Sequence, residues 1–240
     1  MAKALQSLPL YQQAKSLITQ RIVDQFWRPG ELLPSEFELA SELGVSQGTV
    51  RKALDALARE GLVVRRQGMG TFVAAHDQQE SLIKFFRLTT NEQERTDLPQ
   101  SRIVDVVERD ANEEERKLLH FESIHRVIQI HRVRDLHKRP VIVETIIAPV
   151  WLIRDLDEAR ELPGMAYHYY QQVRNVSIVR AVEKLRAVPA TEDDAKLLEI
   201  PASTPLLEIA RIATDLRGHG VERRISRCTT DEYFYLSELG

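Results

Sequence analysis

The chain has one cysteine, no long apolar run and almost no net charge. Each shortage excludes a class of protein. A lone thiol, Cys228, can neither close an intramolecular disulfide nor build a thiolate metal cluster, and such cysteine usage suits a reducing cytoplasm. Apolar stretches such as Val141–Val143 and Ile146–Pro149 are short, and no run approaches the roughly 18 residues that span a bilayer. No apolar segment precedes Pro9, so no secretory leader and no membrane partner are expected. A serine nucleophile elbow, a phosphate loop and a dinucleotide glycine fingerprint are all missing. His125, His131 and His137 recur every six residues, a spacing that no metal motif uses, so they read as solvated or hydrogen-bonded side chains. No metal and no cofactor are expected. What remains is ordinary globular composition, 43% hydrophobic and 29% charged, in 240 residues. That length suits one large domain or two modest ones.

The net charge of −3 argues at first against nucleic acid as a partner. Mapped by segment, it does not. Residues 1–76 carry nine Lys/Arg and seven Asp/Glu, whereas residues 77–240 carry 24 and 29. Within the first segment, Arg51, Lys52, Arg59, Arg65 and Arg66 crowd into residues 47–66 against only Asp55 and Glu60. A basic module on a larger acidic body is one reading, and a solvated helix face is the other. The polar stretch around residues 74–80 reads as a linker. The organisation expected is a domain over 1–75, a linker over 76–81 and a second domain over 82–240.

The first segment reads as helices. Leu10, Ala14, Leu17, Ile18, Ile22 and Phe26 fall at spacings of three and four, an apolar stripe that ends before Pro29-Gly30. Ser35 and Glu38 form a capping box, and Gly44 stands where a left-handed helix end is wanted. Ser46 caps a third helix that turns Val50, Leu54 and Leu57 inward and stops at Glu60-Gly61. Short helix, glycine-containing turn, second helix is the helix-turn-helix spacing. The first turn of the third helix offers Gln47, Gly48, Thr49 and Arg51, groups able to reach base edges. Leu62–Arg66 and Thr71–Val73 flank Gln67-Gly68-Met69-Gly70 as a β-hairpin. Directly after a recognition helix such a hairpin is a wing, with Arg65 and Arg66 at its mouth.

Pro29-Gly30-Glu31-Leu32-Leu33-Pro34-Ser35-Glu36, Gly44-Val45-Ser46, Thr49-Val50-Arg51, Glu60-Gly61-Leu62 and Gly68-Met69-Gly70-Thr71-Phe72-Val73 together resemble the winged-helix domain of the GntR family of bacterial transcription regulators. The resemblance covers about residues 8–75. It implies a homodimeric regulator, more often a repressor, on a short palindromic double-stranded DNA operator. Carried over by motif, the DNA-contacting positions are Ser35, Ser46, Gln47, Thr49, Arg51, Gly68 and Gly70, beside Arg65 and Arg66 of the wing. Phe37 and Gln47 depart from the pattern, each standing where arginine is frequent. Glutamine reads adenine better than guanine, so the operator sequence does not transfer.

The second segment alternates with period two. Ile128, Ile130, Arg132 and Arg134 share one strand face, and Glu144 shares a face with Ile142 and Ile146 on the next strand. A carboxylate there needs Arg132, Arg134 or a ligand as partner if buried. The two strands join through Asp135–Pro140 as a hairpin. Either the arginines and Glu144 bridge on a solvated strand, or they form a pocket for an anion. Strands over Ser177–Val188 and Leu206–Asp215, a helix capped at Thr191 and a closing strand at Tyr233–Tyr235 follow. Glu222, just past a glycine turn, is by default a surface residue. Cys228 reads as a buried structural thiol.

This order looks like the UTRA effector domain of the HutC subfamily over about 82–238. It implies an α+β architecture, an N-terminal winged helix-turn-helix plus a C-terminal antiparallel-sheet domain resembling the chorismate lyase fold without the lyase activity. By motif, Thr90, Arg132, Arg134, Glu144, Tyr167 and Glu222 take the effector-contacting positions, with the loop around Leu88-Thr89-Thr90 closing over them. The effector implied is a small anionic metabolite. Met165-Ala166-Tyr167 stands where phosphosugar-binding relatives carry Ser-x-Tyr, which leaves room for a carboxylate or a more apolar effector. The alternative is a metabolic enzyme on the same fold, but no residue set with catalytic geometry is legible.

Overall fold

The computed structural model describes residues 8–74, 86–90, 99–119 and 126–237. The chain divides into two compact units, Met1–His76 and Asp77–Gly240. His125 and the whole of the expected linker, 76–81, lie outside the described residues.

The first unit begins with α1 (Leu10–Val23). Ala14, Ile18 and Ile22 recur every four residues, form one row down the helix and are buried. The wider stripe expected from the sequence narrows to that row, because Leu10, Leu17 and Phe26 are exposed. Gln25 takes a positive φ of 60° just past the helix, so the chain turns there, and Trp27 is buried in place of Phe26. Arg21 lies over both rings and pairs with Glu42 at 2.9 Å.

Helix α2 (Glu36–Leu43) starts in the expected capping box: the Glu38 N–H donates to the Ser35 hydroxyl, and the Ser35 N–H donates back to the Glu38 carboxylate. It ends at Gly44 with φ of 65°, a conformation that costs a side chain with Cβ about 1–2 kcal/mol. Helix α3 (Gln47–Arg59) is capped by Ser46 and buries Val50, Ala53, Leu54, Ala56 and Leu57. The hairpin follows as β1 (Val63–Arg66) paired with β2 (Gly70–Val73). Leu33 N–H bonds to the Thr71 carbonyl and Gly30 N–H to the Val73 carbonyl, so the segment before α2 docks along the hairpin. Gly70 has φ of 115°, and a Cβ there would lie 2.7 Å from Leu32 Cδ1.

The second unit is built on a six-stranded antiparallel sheet of order β4-β5-β6-β9-β8-β7. Its strands are β4 (Gln100–Asp110), β5 (Arg126–Leu136), β6 (Arg139–Pro149), β7 (Ile178–Pro189), β8 (Pro205–Asp215) and β9 (Gly220–Cys228). A separate short pair joins β3 (Leu88–Thr89) to β10 (Phe234–Tyr235). The β5–β6 hairpin turns through His137 and Lys138, both at positive φ, the geometry that matches strand twist. Strand β4 lies ahead of the region where period-two alternation begins to read clearly. A register shift between Ile103 and Asp105 moves the inward positions from 101 and 103 to 106, which breaks the alternation.

One sheet face packs against α5 (Leu156–Arg160) and α6 (Ala166–Arg174) through Ile128, Ile130, Ile146, Leu152, Leu162 and Tyr170. The opposite face carries Val133, Val143 and Leu206 against Leu198 of α7 (Glu192–Leu198), whose capping box is Thr191 with Asp194. A short α4 (Glu113–Leu118) is capped by Asn112 and Glu115. The fold is thus α+β, helical first and antiparallel second.

Candidate functional site

Two sites follow from these elements. In the first unit, α3 projects its opening turn outward. Ser46, Gln47 and Gly48 are exposed, as are Arg51 and Lys52, while Val50 directly beneath them is fully buried. The Ser46 hydroxyl receives the Thr49 N–H and lies 2.8 Å from the Thr49 hydroxyl, so both hold the helix end in shape. Ser35 is exposed and committed to its capping box.

Glu36 ties this face together. Its Oε2 accepts from Arg51 Nε at 2.9 Å and Nη2 at 2.8 Å, and from Gln47 Nε2 at 3.4 Å. Its Oε1 lies 3.3 Å from Arg65 Nη2, which also pairs with Asp55 at 2.9 Å. The bond from Arg51 leads in holding the Glu36 carboxyl below its ordinary value. Arg51 and Arg65, one on the recognition helix and one on the hairpin, thereby converge. Arg66 instead stacks over the Phe72 ring at 4.9 Å. Gly68 and Gly70 are both exposed in the hairpin turn at positive φ. Phe37, exposed beside Glu36, is one apolar surface residue the charge pattern does not explain.

The second site is a cavity on the sheet face covered by α5 and α6, about 600 Å³ including its open mouth. Strand register builds it in three rows. Arg134, Ile142 and Cys228 form one across β5, β6 and β9. Arg132, Glu144, Ser226 and Ile209 form the next, and Ile130, Ile146, Arg224, Arg211 and Glu183 the third. Met165, Ala166 and Tyr167 at the start of α6 cover them, and Phe86, Leu88 and Tyr235 complete the wall.

The register puts Arg132 directly opposite Glu144, and the two bond at 2.6 Å from Nε and 2.5 Å from Nη2. Both are buried, so the solvated-strand reading fails. Arg132 also donates to the carbonyls of Pro163 and Gly164, fixing the loop ahead of α6. Glu144 Oε1 accepts the Ser226 hydroxyl at 3.0 Å. Burial would raise the Glu144 carboxyl, but the guanidinium groups of Arg132, Arg224 and Arg134 outweigh it and hold the group well below its usual range. Arg134 shows the reverse balance: burial lowers it to about 9, with Glu144 opposing and three neighbouring arginines adding to the fall.

Glu222 is fully buried, not at the surface. Its oxygens accept from the Tyr167 and Tyr170 hydroxyls at 3.0 and 2.9 Å and from Arg224 Nε and Nη2, both at 2.9 Å. A default surface assignment overlooks that the alternation Glu222, Arg224, Ser226, Cys228 faces the core. Burial, then the Glu222 charge, pushes the Tyr167 hydroxyl up to about 12. Cys228 is likewise pushed up to about 12, first by burial and then by Glu144, so the thiol is neutral.

Of the effector set inferred from sequence, Arg134, Glu144 and Tyr167 line the cavity. Arg132 and Glu222 are not among the lining residues and reach the cavity through their partners, Glu144 and Gly164 for Arg132, Tyr167 and Arg224 for Glu222. Thr90 is next to β3 and is not among the lining residues. Two wall residues, Arg211 and Arg224, fall outside that set. Their signal is the same period two: Arg211 alternates with Ile209 and Ala213, and Arg224 with Glu222 and Ser226. His131 and His137 have separate partners in the Thr145 and Tyr233 hydroxyls, and among the described residues no trio of His, Cys, Asp or Glu could hold a metal.

The profile described as bacterial regulatory proteins, gntR family, matches residues 10–73, and the UTRA domain profile matches residues 94–233. The chain is 30% identical over 232 residues to the HTH-type transcriptional repressor NagR of Bacillus subtilis (strain 168), covering 95% of this chain and 94% of that one. It is 32% identical over 212 residues to a histidine utilization repressor of Pseudomonas aeruginosa, covering 85% and 80%. The crystal structure of PhnF from Mycobacterium smegmatis superposes with a TM-score of 0.53 at 23% identity, covering 95% and 99%, a likeness of fold.

Proposed function

Since the chain belongs to the GntR family of bacterial regulatory proteins and carries a UTRA domain, we propose that it binds a palindromic operator as a homodimer and loses that grip when a small anion fills the second-unit cavity. It is a DNA-binding transcription regulator and not an enzyme. Its relatives are named repressors, and repression is the sense proposed here. It works in the cytoplasm on this reading; among the described residues no helix is long and apolar enough to cross a membrane.

For DNA, the observation that carries the reading is the exposed opening turn of α3 with Arg51 and Arg65 gathered on Glu36. Gln47 and Arg51 read base edges in the major groove. Arg65, Arg66, Gly68 and Gly70 follow the backbone or the minor groove from the wing. Thr49, Ser46 and Ser35 hold helix N-termini whose N–H groups suit a phosphate. The dimer is supported by β7, an edge strand of twelve residues whose unpaired side a second copy would cover.

For the effector, the carrying observation is Arg134, whose buried Nε and Nη2 have no hydrogen-bond partner. Arg134, Glu144 and Tyr167 touch the ligand; Arg132 and Glu222 orient them; Thr90 belongs to the segment that closes the mouth. Binding holds that segment over the cavity and shifts the population away from the operator-competent dimer. Arg51→Ala tests the DNA half. Arg51 is exposed, so its loss should leave thermal stability unchanged and weaken binding to an operator selected in vitro by about 1–3 kcal/mol. Unchanged affinity in an anisotropy titration removes Arg51 from the reading surface.

A further inference from the structure

Phe37 is 73% exposed, more than any other large apolar side chain among the described residues. Helix geometry sends it outward. It lies two residues before the fully buried Leu39, and two helical residues are about 200° of turn, so the side of α2 that seats Leu39 in the core leaves Phe37 in water. Phe26, the other highly exposed ring of this unit, rests edge-on against Trp27 under the Arg21 guanidinium.

Position matters here more than exposure, since single apolar residues on a surface are common. Glu36, the chain neighbour of Phe37, reaches the exposed face of α3, where it accepts from Gln47 Nε2 at 3.4 Å and from Arg51 Nε at 2.9 Å. Its other oxygen lies 3.3 Å from Arg65 Nη2 of the hairpin. These bonds pin the first turn of α2 beside Gln47 and Arg51. Phe37 brings to that edge an apolar ring with neither donor nor acceptor. A protein partner would require a contiguous apolar patch, whereas this ring stands between Glu36 and Glu38, with Ser41 exposed one turn on.

A ring can read a methyl group. Of the four bases only thymine presents one in the major groove, and phenylalanine is among the side chains that pack on it. A phosphate, by contrast, would lose water against the ring and gain no hydrogen bond. We propose that Phe37 is a specificity-determining residue of the DNA surface, packing on the C5 methyl of one thymine in each half-site, next to the base edges taken by Gln47 and Arg51; this rests on α3 entering the major groove. Gln47, whose amide matches adenine, is tied to the same turn through Glu36, so the two side chains together favour A·T pairs in the half-site.

The test uses the full chain and an operator selected by the wild type from random duplex, with affinity read by fluorescence anisotropy. Deoxyuridine replaces each thymine in turn, which removes only the C5 methyl. At one position per half-site this should weaken the wild type about fourfold, the worth of one buried methyl-sized group. Phe37→Ala should melt at the wild-type temperature, bind the thymine operator at least about fourfold more weakly and lose that one sensitivity. Phe37→Arg, put through the same selection, should exchange the thymine for guanine. A wild type indifferent to every deoxyuridine overturns the methyl contact. A sensitivity that persists unchanged in Phe37→Ala gives the methyl to another side chain, such as Thr49, and overturns the proposal. A Phe37→Ala chain that keeps its DNA affinity but changes mass in analytical ultracentrifugation makes the ring a protein contact and overturns it too. The role of α3 as the reading helix fails separately, by an Arg51→Ala chain that binds the operator as tightly as the wild type.

Discussion

Replacing Glu144 by glutamine keeps the side chain's shape and removes its charge. In the native unit that charge faces Arg132 at 2.5 Å, Arg224 at 3.5 Å and Arg134 at 3.8 Å, all buried. Without it, the buried Arg132, Arg134, Arg211 and Arg224 face two carboxylates, Glu183 and Glu222, in place of three, and the glutamine amide turns donors toward donors. Removing one partner of a buried ion pair costs about 3–5 kcal/mol. The second unit spans Asp77–Gly240, a size at which each kcal/mol moves Tm by about 2–4 °C. Glu144→Gln should therefore lower the transition of this unit by about 6–20 °C at neutral pH. Acid supplies a second signature. The native Glu144 carboxyl titrates well below its ordinary value of 4.5, so its contribution is complete above that value. It is lost as pH falls below it, because the unfolded chain then binds a proton that the native one refuses. The wild-type and Glu144→Gln melting curves should converge as pH drops from near neutrality through this window. Scanning calorimetry of both chains across a pH series measures this. A variant that melts within about 2 °C of the wild type at neutral pH, or curves that stay parallel into acid, refutes the claim that Glu144 anchors the cluster.

Arg134→Met should stabilise the ligand-free protein by about 1–4 kcal/mol, since it replaces a buried cation with two orphaned donors by an apolar side chain of similar length. Because native Arg134 titrates near 9, below its unfolded value, that advantage should be complete below pH 9 and fade above it; equal urea midpoints at neutral pH refute the idea. Glu36→Gln releases Arg51 and Arg65 from their shared acceptor. Affinity for random duplex should rise and its log–log salt slope steepen by about one, while discrimination in favour of the operator falls; unchanged slopes count against a positioning role. Gly70→Ala forces a Cβ toward Leu32 at positive φ and should cost about 1–3 kcal/mol in the first unit, read from urea unfolding, with no cost if the hairpin simply yields.

Local chemistry made the first unit legible. Ser35, Glu38, Gly44 and Ser46 each act on groups within four residues, so sequence spacing alone locates the helix ends. The cavity is different in kind. The pairing of Arg132 with Glu144 could be narrowed but not settled, because a one-residue slip of register exchanges every partner. Arg211 and Arg224 became visible only when β8 and β9 were set beside β6, across connections that no local pattern encodes. Strand β4 escaped because its bulge cancels the period-two signal, and α1's stripe was overread because only a row spaced by four meets the core.

The arginines of this protein sort by what occupies the guanidinium edge. Those whose edge is filled and buried, such as Arg132, Arg211 and Arg224, are framework: each neutralises one carboxylate and is locked by it. Arg51 is filled but more than half exposed, so water and salt weaken its bond to Glu36 and a phosphate or guanine edge can compete for it. Arg134 is buried and open, the most costly arrangement of the three for the ligand-free chain. A fold selected for stability alone would close that edge with a carboxylate, as it does three times nearby. On the proposed effector role, the unpaired edge holds free energy that an incoming anion would recover on binding. Ligand binding is thereby linked to the stability of the whole second unit, by an amount that grows with ligand concentration over Kd. The net charge of −3 conceals both cationic sites, since each is a local surplus set within an acidic whole.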